Sequence, residues 1–100
     1  MLNISKTVED KTLIIKLEGR LDTLTSPELD AELRSSCDGI QELILDCADL
    51  KYISSAGLRV LLASDEDMNA RGGRMVLRNV GRVILEILKV TGLTDVLCIE

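Results

Sequence analysis

Histidine, phenylalanine and tryptophan are absent from this chain of 100 residues, and there is a single tyrosine and a single proline. Without histidine there is no His-based triad, no His-ligated zinc and no ordinary near-neutral general base. One aromatic ring leaves almost nothing for nucleic-acid bases to stack on. Arg71, Arg74, Arg78 and Arg82 form a locally basic stretch, but the net charge of −5 argues against a phosphate-tracking surface. Cysteine is sparse as well. Cys37, Cys47 and Cys98 form no CxxC pair, and an odd count leaves at least one free thiol, which argues against a secreted disulfide framework. Met1-Leu2-Asn3 runs straight into an alternating polar segment with no signal-peptide pattern. No apolar run nears the roughly 20 residues that span a bilayer. These absences lead us to expect a cytoplasmic protein with no membrane span, no nucleic-acid partner, no cofactor and no metal. Asp46 and Asp49 are close enough to suggest magnesium, but two carboxylates make a poor site.

What is present suits a single domain over residues 1–100. Hydrophobic residues make up 46% of the chain, so leucine, isoleucine and valine must fill the core. Ile4 to Val8 and Thr12 to Leu17 alternate as two strands of a hairpin around Glu9-Asp10-Lys11, with Gly19 ending the second. Ser26 is a helix N-cap candidate, followed by Pro27 and Glu28 in positions suited to a first turn. Leu29 and Leu33 give that helix its inward face, and Gly39 lies beyond its end.

Leu43 to Leu45 reads as a strand buried on both faces, Asp46 to Lys51 as an acidic loop, and Ala56 to Ala70 as an amphipathic helix. Within that helix Asp65, Glu66 and Asp67 read as a solvated charge run. Gly72-Gly73 stops it. Met75 to Leu77 is a further strand. A third helix is marked by Val83, Ile84, Ile87, Leu88 and Val90 and closed by Gly92, and Val96 to Ile99 is a last strand. The order ββαβαβαβ predicts an α/β fold: a mixed, mostly parallel sheet of about five strands with helices packed on it.

Ser54 and Ser55 fall at the junction of strand and helix, where the first backbone amides lack partners and the macrodipole is positive. A hydroxyl there can cap the helix, or carry a phosphate that the free amides would stabilise. Cys47, beside an apolar strand, reads as a small core residue.

Tyr52 to Leu58, YISSAGL, resembles the STAS domain family, and within it the bacterial anti-sigma factor antagonists. In that motif an apolar residue is followed by Asp, Ser, Ser or Thr, Gly and Leu. Two further blocks fall in register: Leu17-Glu18-Gly19-Arg20-Leu21-Asp22 before a capped helix, and Arg71-Gly72-Gly73 before a strand and a helix ending Val90-Thr91-Gly92-Leu93. The resemblance implies Ser55 as phosphoacceptor, with Ser54 second choice. It implies a partner surface of Asp22, Thr23, Ser54, Ser55, Ala56, Gly57 and Arg59. Two departures stand out. Ser54 occupies the position of the family's Asp, and the chain stops after the last strand where many relatives add a helix. The second predicts bare apolar surface beside the sheet, suited to an interface such as a homodimer.

The implied activity is partner switching rather than catalysis. The unphosphorylated protein would bind an anti-sigma factor, itself a serine kinase, and free a sigma factor for transcription. Phosphorylation at Ser55 would release it, and a phosphatase would restore it. Two other readings keep the fold: a constitutive scaffold or accessory subunit of a signalling assembly or ATP-binding-cassette lipid transporter, and a nucleotide- or anion-sensing module. The last has no GxxxxGK loop behind it, and a serine hydrolase would lack both histidine and a GxSxG elbow.

Overall fold

The computed structural model describes every residue from Met1 to Glu100. In chain order the elements are β1 (Leu2–Glu9), β2 (Thr12–Leu21), α1 (Ser26–Ser36), β3 (Glu42–Ile53), α2 (Ser55–Ala70), β4 (Arg74–Arg78), α3 (Arg82–Val90), a 3-10 turn (Leu93–Asp95) and β5 (Cys98–Ile99). The five strands form one sheet in the spatial order β1-β2-β3-β4-β5. The β1–β2 hairpin is antiparallel and every later pairing is parallel. This is the α/β arrangement expected from the alternation of strands and helices. Three successive crossovers step the same way across the sheet, and right-handed connections put their helices on one face.

Leu29 and Leu33 from α1, Leu58, Leu61 and Met68 from α2, and Ile84 and Leu88 from α3 meet the strands in one connected apolar cluster. Leu13, Ile15, Leu17, Leu43, Leu45, Met75 and Leu77 are the strand side of it. Burial of this many aliphatic side chains, each worth roughly 1.5–3 kcal/mol, replaces the aromatic packing that the composition denies. No helix is long and apolar enough to cross a membrane.

Several boundaries differ from the sequence reading, each for a physical reason. Asp46 to Lys51 is not a loop but the middle of a 12-residue strand. Between the pairs Lys16–Asp46 and Glu18–Asp49, β3 advances three residues while β2 advances two, and Gly19–Leu50 to Arg20–Tyr52 repeats the slip. These bulges put the buried positions at Cys47, Leu50 and Ile53, a spacing of three that hides the strand's period of two. Nor does β2 stop at Gly19, which sits at φ +110° and lets the strand kink and continue to Leu21.

The end of the chain is less regular than expected. Only Cys98 and Ile99 pair as a strand, and the residues before them include the 3-10 turn. Val83 and Val90 point outward from α3, which docks through Ile84 and Leu88 instead. Asp65 is not part of a solvated charge run, because it is only 6% exposed.

The second face of the sheet is not bare either. Ile44 and Val76, cross-strand partners, are 6% and 1% exposed yet stand apart from the main cluster. Ion pairs between neighbouring strands flank them, Arg74–Glu42 at 3.1 Å and Arg78–Glu100 at 2.9 Å. Long polar side chains thus wall in a small apolar strip without a helix over it.

Candidate functional site

The parallel pairing of β2 with β3 ends at Leu21 and Ile53, so the chain leaves both strands at one edge of the sheet. The Ser54 amide donates to the Leu21 carbonyl at 2.9 Å, extending the ladder by one bond and placing the residues after each strand side by side.

Ser54 is extended (φ −98°, ψ 175°) and caps α2: its Oγ accepts the Gly57 amide at 3.4 Å, and its carbonyl accepts the Leu58 amide at 2.9 Å. Ser55 is the first helical residue and is exposed. Its hydroxyl takes part in no hydrogen bond, and the amides of Ser55 and Ala56 have no acceptor. The first turn of α2 carries no acidic residue. The helix's positive end therefore lacks a fixed counter-charge. Of the two tasks open to a hydroxyl here, the cap belongs to Ser54, and Ser55 takes no part in it.

The start of α1 is organised differently from the sequence expectation. Its N-cap is Thr25, not Ser26, and the Thr25 side chain makes no cap bond within the helix. Ser26 begins the helix, and its hydroxyl donates back to the Asp22 carbonyl. Asp22 orders the turn that leads into the helix: its Oδ1 accepts the amides of Leu24 and Thr25, each at 3.0 Å, and its backbone carbonyl accepts the Ser26 amide at 2.8 Å. Those bonds, the Thr25 amide foremost, hold the Asp22 carboxyl below the usual carboxylate range. The Thr25 hydroxyl closes the turn, accepting the Asp22 amide at 2.8 Å and donating to the Arg20 carbonyl at 2.7 Å. Thr23 and Leu24 are left at the exposed tip.

Between the two helix starts runs an open groove of about 310 Å³, lined by Thr23, Pro27, Asp30, Ala56, Arg59 and Val60 among others. Thr23, Ala56 and Arg59 from the sequence-derived set thus share one surface, with Ser54 and Ser55 beside Ala56 in the chain. Gly57 does not join it. It faces the sheet, where a Cβ would lie 2.8 Å from Leu21 Cγ and 2.9 Å from Ile53 Cγ1. A larger depression of about 480 Å³ lies farther along α1 and α2, around Cys37 and Asp67. Its carboxylates are already paired, Asp30 with Arg34 and Asp67 with Arg71, so it offers little chemistry.

Three side chains at this edge escaped the sequence reading. The Arg20 guanidinium sits 4.3 Å from the centre of the Tyr52 ring and 3.8 Å from Asp22 Oδ2, linking the two strand ends. Leu24 is 85% exposed, an apolar side chain offered to solvent. The parallel register would have signalled the Arg20–Tyr52 pair, whereas nothing in the sequence marks Leu24. Elsewhere, Asp46 accepts from the Ala48 amide and from Asn79, and Asp49 pairs with Lys16. Cys47 is a core residue, its thiol pushed up to about 12 by burial.

The STAS domain family matches residues 3–100. The anti-sigma-B factor antagonist of Staphylococcus aureus is 29% identical over 97 residues, covering 96% of this chain and 90% of that protein. An anti-sigma factor antagonist from Mycobacterium paratuberculosis superposes with a TM-score of 0.88 at 20% identity, covering 99% of this chain and 85% of its own. The Bacillus cell fate determinant SpoIIAA in its phosphorylated form gives a TM-score of 0.76 at 20% identity, over 100% of this chain and 91% of its own. With the sheet order, the paired helix starts and a family match over almost every residue, the chain belongs to the STAS domain family.

Proposed function

We infer that this protein is an anti-sigma factor antagonist of the partner-switching kind, acting in the cytoplasm without catalytic activity of its own. The observation that carries the reading is Ser55: exposed, free of hydrogen bonds and first in α2, while the neighbouring Ser54 supplies the cap. The surface it offers to an anti-sigma factor consists of Asp22, Thr23, Ser54, Ser55, Ala56 and Arg59, with Leu24 adding apolar contact. Gly57 serves this surface indirectly, by letting α2 lie close on the sheet.

In the switching step a serine kinase, the anti-sigma factor itself, transfers the γ-phosphoryl group of a nucleoside triphosphate to Ser55 Oγ. The bond from phosphorus to the nucleoside diphosphate breaks, the bond to Oγ forms, and the hydroxyl proton leaves to the kinase or solvent. The product carries about −1.5 to −2 charge at neutral pH, on a surface built to be covered. Repulsion and desolvation then weaken the complex, and a coupling of about 1–3 kcal/mol lowers affinity some 5- to 150-fold. A phosphatase hydrolyses the ester and resets the protein.

Mass spectrometry of the protein from its own cells, intact and as peptides with phosphatase treatment as control, tests this reading. Phosphate on Ser55 is the expected result. Phosphate on Ser54 would refute the residue assignment, and none under growth or stress would refute the switch. In that last case the constitutive scaffold or transporter-subunit reading takes its place, favoured by Ser54 standing where the family motif has Asp.

A further inference from the structure

Of the seven arginines in the chain, Arg20, Arg34, Arg71, Arg74 and Arg78 each sit in an ion pair, and Arg59 and Arg82 do not. Arg59 is exposed on α2 four residues after Ser55, one turn along the same helix face. Helical side chains lean toward the N-terminus, which brings the turn that holds Ser55 within reach of the Arg59 side chain. Asp30, the carboxylate lining the same groove, is occupied by Arg34 at 2.9 Å. The first turn of α2 supplies no acid to compete.

We propose that Arg59 is the internal counter-ion of a phosphate on Ser55, so that phosphorylation also withdraws from the partner a cation that the unmodified protein offers. This rests on Ser55 as the phosphoacceptor. The modification then acts twice on one surface: it adds negative charge, and it folds the groove's free guanidinium back onto the protein's own phosphate. A carboxylate on the partner is the group that loses its contact.

The test is a 31P NMR pH titration of protein carrying phosphoserine at position 55, installed during synthesis by an expanded genetic code. The second phosphate ionisation, near pH 6 without neighbours, is expected about 0.15–0.4 of a pH unit lower in the wild-type background than in Arg59→Gln. Arg59→Lys should fall between the two, and 1 M NaCl should collapse the difference. Coincident titrations of wild type and Arg59→Gln at low salt would overturn the proposal. Because the phosphate is placed without a kinase, this result is independent of whether Ser55 is phosphorylated in cells. Failure of the functional reading and failure of the counter-ion are thus read from separate experiments.

Discussion

The backbone amide of Ser54 donates to the carbonyl of Leu21 at 2.9 Å, and this one bond fastens the start of α2 to the turn that starts α1. The exposed serine and the Asp22 turn are neighbours because two parallel strands end together there. Substitutions on either side of that bond therefore separate folding from function.

Ser54→Ala removes the side-chain acceptor of the Gly57 amide. Loss of such a cap costs about 1 kcal/mol, or about 4–8 °C in melting temperature for a domain of this size. Ser54→Asp should keep the wild-type midpoint, since Asp caps as well as Ser. Thermal unfolding followed by circular dichroism decides it, and an unchanged Ser54→Ala midpoint would show that the 3.4 Å contact carries no stability.

Ser55→Ala, by contrast, should leave the melting temperature within about 2 °C of wild type, because no hydrogen bond is lost. Ser55→Asp should weaken the complex with a cognate anti-sigma factor in calorimetric titration, while Ser55→Ala binds as wild type does. Equal affinities for all three proteins would contradict the switching mechanism.

Gly57→Ala is expected to be the most damaging single methyl group in the region. Its Cβ would fall within 3 Å of Leu21 and Ile53, both buried, so α2 must lift from the sheet. Overpacking of this kind costs about 1–3 kcal/mol. Chemical denaturation should show a lower midpoint, and a tolerated alanine would mean that the helix seats less closely than described.

Asp65 gives the stability a pH dependence. Burial raises its carboxyl above the ordinary value, and the charge of Glu66 adds to the effect. A raised carboxyl pKa means the folded chain holds this proton more tightly than the unfolded one. The contribution to stability is thus full at low pH and is lost as pH rises through the folded-state value. Asp65→Asn removes the charge, and its stability advantage over wild type should grow between pH 4 and pH 7. Denaturation curves that stay parallel across that range would contradict the burial argument.

Much of this architecture was legible because aliphatic residues recur at helical spacing in α1 and α2, and strands alternate with helices after the hairpin. The YISSAGL segment placed the two serines where the structure has them. What was hidden came from geometry that a period cannot express. The bulges spaced Cys47, Leu50 and Ile53 by three and so masked half of β3. Asp22 holds the turn that leads into α1 and Thr25 is its N-cap, so Ser26 looked like the cap on type and position alone. Asp65 looked solvated because it sits among acids, yet it follows Leu61 and precedes Met68 on the inward side of α2.

Ser55 contributes nothing that the fold requires: its hydroxyl holds no bond and its neighbour keeps the cap. On the switching function proposed above, one codon change at this position would retire the switch without harming the protein that carries it. Duplicated copies of such a gene could lose regulation long before they lose shape. Within a lineage, unregulated scaffolds and responsive antagonists would then be separated by a single side chain rather than by a remodelled domain.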